Sequence, residues 1–286
     1  MTAMHGPESI TSPANPRLKR AAALRDADER RATGLTLVDG RRELTRAAAS
    51  GVEIVEVFVD ARRLDDPPSA EFGTRLAEWL AALAAAGTQV VTASERAFER
   101  VAFGGRNEGV VGVVRFGATP LVAVTLAQDR TVFVIEGVEK PGNLGAILRT
   151  ADAAGLGGVI VCDARTDVAN PAVIRASLGT AFSMPLATCS TAEAIDWCRS
   201  HDRCVVAATP TGTRLWHEAD LRGGAAIVLG SEAHGLSAAW AAAAAERRLR
   251  FDSVRLPMHG IADSLNLSVT AAVLAYEAVR QREAAR

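Results

Sequence analysis

Asparagine, glycine and arginine recur at one place in this sequence with a spacing suited to holding an anion. Asn143, Gly145 and Arg149 form N-x-G-x-x-x-R within EGVEKPGNLGAILRTADAAG. TVFVIEG at 131–137 predicts a buried strand, and NLGAILRTADAAG predicts a helix over 143–155 capped by Asn143. An arginine in an apolar helix segment can hold an anion or an internal ion pair. A plain cap with a surface arginine explains the same letters. A second place is IVLGSEAHGL, 227–236. Gly230, directly after a strand, lets backbone approach a ligand closely, and Glu232 sets a charge at the strand mouth. Ser231 and His234 invite a hydrolase reading, but G-x-S-x-G is missing and no triad order is visible. No G-x-G-x-x-G follows a strand, which removes a dinucleotide dehydrogenase. The third place is VRLPMHGIADSLNLSVTAAVLAYE, 254–277. Pro257 ends a strand, and Ser264 and Asn266 stand where a long apolar helix begins. N-capping accounts for one of these two, but not both, nor for Leu265 between them.

These loops need a scaffold, and the second half supplies one. TVFVIEG, GGVIVCD (157–163), CVVAAT (204–209) and AAIVLG (225–230) are continuous apolar runs. Such runs predict a parallel sheet covered on both faces, and ligands of such sheets bind beyond the carboxyl ends of the strands. Thr209 stands at one of those ends. VIRASLG predicts a helical turn. TAEAIDWCRS (191–200), WAAAAAERRLR (240–250) and the stretch from Ser264 to Ala284 predict helices. In the first half, RLKRAAALRD is helical and a charged turn ends at Gly34. Strands follow at 35–39, 52–60, 88–92 and 108–116, alternating with helices at 41–50, 71–87 and from Ser94. The alternation predicts an α/β class for both halves. The expected division is a domain over 1–117, a link over 118–130 that lies against a surface, and a domain over 131–286.

A chain of 286 residues suits two domains of about 100–150 residues each. With 49% hydrophobic and 23% charged residues it can bury a core, so wholesale disorder is excluded. No apolar run reaches the roughly 18 residues of a membrane span, and the N-terminus lacks the apolar core of a secretory signal. A cytoplasmic protein with no membrane association is expected. The four cysteines show no C-x-x-C pair and the five histidines no metal spacing; reduced thiols and no metal are expected. A net charge of −1 argues against coating nucleic acid by bulk charge, yet residues 15–31 carry six basic and three acidic side chains.

Together the three loops resemble the three motifs of the SpoU/TrmH family of RNA ribose 2′-O-methyltransferases. Asn143, Gly145 and Arg149 match motif 1. Gly230, Ser231, Glu232 and Gly235 match motif 2, and Pro257, Met258, Ser264, Leu265, Asn266 and Ser268 match motif 3. Ala233 and Leu256 stand where the family often has Gly and Ile. The resemblance implies a C-terminal α/β trefoil-knot methyltransferase domain that binds S-adenosylmethionine. Gly230, Leu256 and Leu265 would contact the adenine through backbone, with Thr209 a weaker partner. It makes Arg149 the catalytic residue at the ribose hydroxyl, as base or as electrostatic anchor, oriented with the RNA backbone by Asn143, Glu232, Ser264 and Asn266.

The first half resembles the family's L30e-like RNA substrate-binding domain, through SPANPRLKR and VDGRRELTRAAASGVEIVEVFV. Arg17, Lys19, Arg20, Arg41 and Arg42 are the expected RNA-binding residues. The resemblance further implies a homodimer acting on 23S rRNA. Within the family the arrangement is most similar to the actinomycete enzymes that confer resistance to ribosome-targeting antibiotics, avilamycin type first and thiostrepton type second. A housekeeping tRNA or rRNA methyltransferase and a non-catalytic RNA-binding protein are the competing readings.

Overall fold

A computed structural model describes residues 8–68, 70–103, 108–246 and 249–285. The chain forms two compact units. One comprises 1–117 with Ala169–Arg175, the other 118–168 with 176–286.

The first unit runs β1 (Glu8–Ile10), α1 (Pro16–Ala23), α2 (Ala27–Thr33), β2 (Leu35–Asp39), α3 (Arg41–Ala49), β3 (Ile54–Asp60), α4 (Leu76–Ala85), β4 (Gln89–Ala93), α5 (Glu95–Phe98) and β5 (Val110–Arg115). Asn15 caps α1, its side chain accepting from Arg17 N, and Pro16 takes the first helical position, where no N–H is needed. The strands form one mixed sheet in the order β1-β4-β3-β5-β2, with β5 antiparallel to both neighbours. Leu18, Leu37, Phe58, Val91, Phe98 and Val111 fill its core. The charged stretch read as a turn before Gly34 is the helix α2, capped by Asp26 and closed by Gly34 in the left-handed conformation.

The second unit continues with β6 (Val132–Glu136), α6 (Pro141–Ala153), β7 (Val159–Cys162), α7 (Pro171–Ala176), β8 (Leu186–Cys189), α8 (Thr191–Ser200), β9 (Cys204–Ala208), β10 (Arg214–Leu215), β11 (Ala226–Leu229), α9 (Ala238–Ala245), β12 (Arg250–Arg255) and α10 (Leu267–Ala284). Most of α7 clusters with the first unit. The seven strands form one parallel sheet in the order β10-β12-β9-β11-β6-β7-β8. Leu121 and Leu126, from the segment read as a link, are buried in this unit's core. The helix expected over 240–250 stops at Ala245. Arg247 and Arg248 lie outside the described residues, and Arg250 already opens β12.

Two buried charges fasten this unit. Glu136, at the end of β6, accepts from Thr191 Oγ1 at 2.9 Å, Ser237 N at 2.9 Å and Trp240 Nε1 at 3.2 Å. It therefore ties β6 to α8 and to the start of α9, with its charge satisfied by three donors. Arg203, 2% exposed, donates to Ala127 O at 2.6 Å, Arg130 O at 2.7 Å and Gly224 O at 2.8 Å, and lies 5.1 Å from the Trp197 ring centroid. Burial pushes its guanidinium pKa down. Replacing Arg203 by methionine strands three carbonyl oxygens, so the unfolding free energy should fall by about 3 kcal/mol in urea titrations. A loss under ~1 kcal/mol would show that the carbonyls find other partners.

Candidate active site

Four adjacent parallel strands, β12, β9, β11 and β6, end at one cleft. Its volume is about 380 Å³, within the roughly 300–1,000 Å³ of small-molecule sites. The residue after each strand lines it or leads into it: Thr209 after β9, Gly230 after β11, Leu256 after β12 and, four residues past β6, Lys140. Glu232, Ser264, Leu265 and Asn266 also line it, together with Ser231, Gly235 and Met258 from the matched motifs. The cleft lies at the carboxyl ends of the strands, as parallel sheets require.

Asn143 does not cap its helix. Lys140 holds the cap position and Pro141 the first helical position, which puts Asn143 one turn inside α6 and buries it. From there its amide joins the other two loops. Asn143 Nδ2 donates to Glu232 Oε1 at 2.6 Å, and Asn143 Oδ1 accepts from Asn266 Nδ2 at 3.1 Å. Asn266 also caps α10, its Oδ1 accepting from Ser268 N at 2.9 Å. Capping and site-building are thus one role for Asn266. Ser264 and Leu265 are exposed at the rim, and Glu232 Oε2 is buried with no hydrogen-bond partner.

Gly230 is held to glycine by the packing of its own loop. A Cβ there would lie 2.1 Å from Gly235 C and 2.3 Å from Gly235 O and Leu236 N. The loop closes on itself through Ser231 N to Gly235 O and Gly235 N to Ser231 O, both 3.0 Å. Gly235, with φ +67, takes the left-handed turn that permits this closure. This closed loop is what carries Glu232 to Asn143.

Arg149 stands apart. It is exposed, does not line the cleft, and its side chain makes no hydrogen bond or ion pair among the described residues. Lys140, Asp263 and Thr270 line the cleft and were not singled out from sequence. Their signal was position: Lys140 and Asp263 are charges in the two loops that precede α6 and α10.

The five basic residues expected to meet RNA divide sharply. Arg17 is committed to Glu56 and Gln89. Arg41 is buried, donates to Thr74 O at 2.9 Å and lies 4.3 Å from the Phe72 ring centroid and 5.5 Å from that of Trp79. Arg42 is half-buried between Glu43 at 3.6 Å and Glu71 at 3.7 Å. Lys19 and Arg20 are exposed and unpaired among the described residues.

The cysteines are free thiols. Cys162 and Cys198 are buried, and burial pushes the pKa of Cys198 up to about 12. Among the described residues no cluster of His, Cys, Asp or Glu could hold a metal, and no helix is long and apolar enough to cross a membrane.

Residues 130–276 match the SpoU rRNA Methylase family, and residues 15–112 match the MRM3-like substrate binding domain. The chain belongs to the SpoU methyltransferase family, with a substrate-binding domain preceding the methyltransferase domain. It is 30% identical over 276 residues to the 23S rRNA (uridine(2479)-2'-O)-methyltransferase of Streptomyces viridochromogenes, covering 93% of this chain and 89% of that one. It is 32% identical over 239 residues to the 23S rRNA (guanosine-2'-O-)-methyltransferase RlmB of Bordetella pertussis, covering 80% and 90%. The crystal structure of the SpoU methyltransferase AviRb from Streptomyces viridochromogenes in complex with the cofactor AdoMet superposes with a TM-score of 0.79 at 28% identity, covering 95% of this chain and all of that one.

Proposed function

We propose that this chain transfers a methyl group from S-adenosylmethionine to a ribose 2′-hydroxyl of 23S rRNA. One observation carries the reading. Three loops whose linked residues lie 89 and 123 positions apart in sequence meet at one cleft, joined by the Asn266–Asn143–Glu232 hydrogen bonds. The cleft suits the donor: backbone at Gly230, Leu256 and Leu265 would hold the adenine, with Thr209 beside it, and the unpartnered Glu232 Oε2 faces no protein donor. Bound there, S-adenosylmethionine would supply a methyl group already activated on a sulfonium; as the S–CH3 bond breaks and the O–CH3 bond forms, S-adenosylhomocysteine leaves and the hydroxyl proton passes to solvent. The chain's own work is positioning and charge. Asn143 fixes the Glu232 carboxylate, while Ser264 and Asn266 orient the RNA backbone at the rim. A guanidinium stays protonated, so Arg149 anchors the neighbouring phosphate and stabilises the developing alkoxide.

Arg149 lies outside the cleft of its own chain, so RNA or a second copy must bring it to the reacting hydroxyl. A homodimer fits this need. Ile261, Leu265, Val269 and Tyr276 are large exposed apolar side chains on the loop before α10 and on α10 itself. Val269 and Tyr276, seven residues apart, share one helix face. The family's trefoil knot and a cytoplasmic location belong to the same reading.

Lys19 and Arg20 are the phosphate contacts we assign to the first unit. Changing both to alanine should weaken rRNA binding and flatten its log–log salt dependence by about 1.4–1.8, at roughly 0.7–0.9 per lost contact. Arg41→Ala should instead lower stability. Filter binding at several salt concentrations, with thermal melting, separates these outcomes.

The decisive experiment is mapping of 2′-O-methyl stops by primer extension on 23S rRNA treated with the protein. A new stop that requires S-adenosylmethionine supports the reading, and no stop on naked rRNA or assembled subunits ends it. A resistance role, avilamycin type first and thiostrepton type second, follows the resemblance to the actinomycete enzymes and predicts reduced drug susceptibility in a host expressing the chain. The 32% identity to the Bordetella pertussis guanosine enzyme favours a second reading, a housekeeping rRNA methyltransferase. A methylated guanosine with unchanged susceptibility would select it.

A further inference from the structure

The cleft has a charge pattern that the methyl-transfer chemistry leaves unexplained. Its charged lining residues are Lys140, Glu232 and Asp263: one cation and two carboxylates. None of the three is neutralised by an ion pair among the described residues. The side chains of Lys140 and Asp263 make no hydrogen bond there, and Glu232 spends one oxygen on the neutral amide of Asn143 while the other is buried without a partner. Here they stand on different loops, Lys140 before α6, Glu232 after β11 and Asp263 before α10.

We propose that Lys140 and Asp263 recognise the amino-acid end of the methyl donor, Lys140 its α-carboxylate and Asp263 its α-ammonium. The inference rests on the methyl-donor reading above. S-adenosylmethionine carries one negative and two positive charges, namely carboxylate, ammonium and sulfonium. The cleft carries the opposite set, one positive and two negative. The adenine end is met by backbone and apolar groups at Gly230, Leu256 and Leu265, which have no charge to offer. Charged groups for the amino-acid end and uncharged backbone for the adenine would fix the direction of the ligand in the cleft. Specificity of this kind comes from charge placement more than from contact area.

An anion for Lys140 could also be an RNA phosphate, and the test distinguishes the two. Calorimetry without RNA would compare S-adenosylmethionine, S-adenosylhomocysteine and 5′-methylthioadenosine, which lacks the amino-acid end. The proteins would be wild type, Lys140→Met and Asp263→Asn, each checked by thermal melting. Both positions are exposed, so folding should survive. Each variant should lose about tenfold in affinity for the first two ligands, the scale of one charged hydrogen bond, and keep its affinity for 5′-methylthioadenosine within about twofold. Unchanged donor affinity with weakened rRNA binding would assign Lys140 to phosphate and overturn the proposal. Equal losses on all three ligands would also overturn it, because the residues would then act through loop shape. Failure of the wild type to bind either S-adenosyl ligand would instead remove the methyl-donor reading itself, and this assignment with it.

Discussion

Arg149→Ala should lower single-turnover methylation of 23S rRNA by about 10²–10³ at saturating S-adenosylmethionine, the usual cost of removing one preorganised electrostatic group from a reaction centre. The structure makes this a clean experiment. The Arg149 side chain is exposed and makes no hydrogen bond or ion pair among the described residues, so its loss should leave folding intact. It does not line the cleft, so donor affinity should stay within about twofold. A fall in turnover with unchanged donor binding and melting has one reading: the arginine meets the RNA. Arg149→Lys should rescue little, because an ammonium lacks the planar fork that holds two oxygens together. Mixing Arg149→Ala protein with Gly230→Val protein adds a test of the homodimer. Recovery of activity in the mixture would mean that one chain's arginine serves another chain's cleft. Near-wild-type turnover for Arg149→Ala would end its catalytic assignment.

How much of this site could be read from the letters depends on what kind of partner each residue has. The central strands were legible because a parallel strand buried on both faces must be apolar throughout, as in Val132–Glu136 and Ala226–Leu229. The strands that escaped notice are β1, β8 and β10, each at the edge of its sheet and two to four residues long. An edge strand pairs on one side only and needs little pattern of its own. β12 escaped in part for another reason. Its polar residues, RFDSVR, run on from an alanine-rich helix, and pairing with β9 and β10 is what makes them a strand.

The same logic divides the charged residues. Asn143, Glu232 and Asn266 were found because each stands next to a predictable strand or helix end. Their hydrogen bonds to one another span 89 and 123 residues and had no local trace. Arg17, on the basic stretch with Lys19 and Arg20, and Arg41, in the segment after Gly40, looked equivalent to those two as phosphate contacts. What sets them apart is Glu56 and Gln89 for Arg17, and Thr74, Phe72 and Trp79 for Arg41. Those partners lie about 30 to 70 residues away in sequence. A count of basic residues therefore overstates the surface available to RNA, and Glu136, a lone carboxylate ending an apolar strand, understated its structural importance.

Gly230→Ala should weaken donor binding more than about tenfold even though it adds a single methyl group. The added Cβ would meet backbone atoms of Gly235 and Leu236 at 2.1–2.3 Å, and backbone cannot rotate away as a side chain can. Relief requires opening the loop, which breaks the paired hydrogen bonds between Ser231 and Gly235. Glu232 lies inside that loop, so its 2.6 Å bond from Asn143 goes with it. Overpacking of this kind costs about 1–3 kcal/mol, which the second unit's core can absorb while the cleft loses its shape. Calorimetry should therefore show S-adenosylmethionine affinity reduced more than about tenfold in a protein that still melts cooperatively. Gly142→Ala is the matched control. It sits in the first turn of α6, beside the same cleft, with no atom within 4 Å of the new Cβ. Alanine is the better helix former by up to about 1 kcal/mol, so that variant should bind the donor normally and melt no lower than wild type. If both variants bind alike, the loop tolerates opening, and the small residue at 230 serves neither closure nor the cleft.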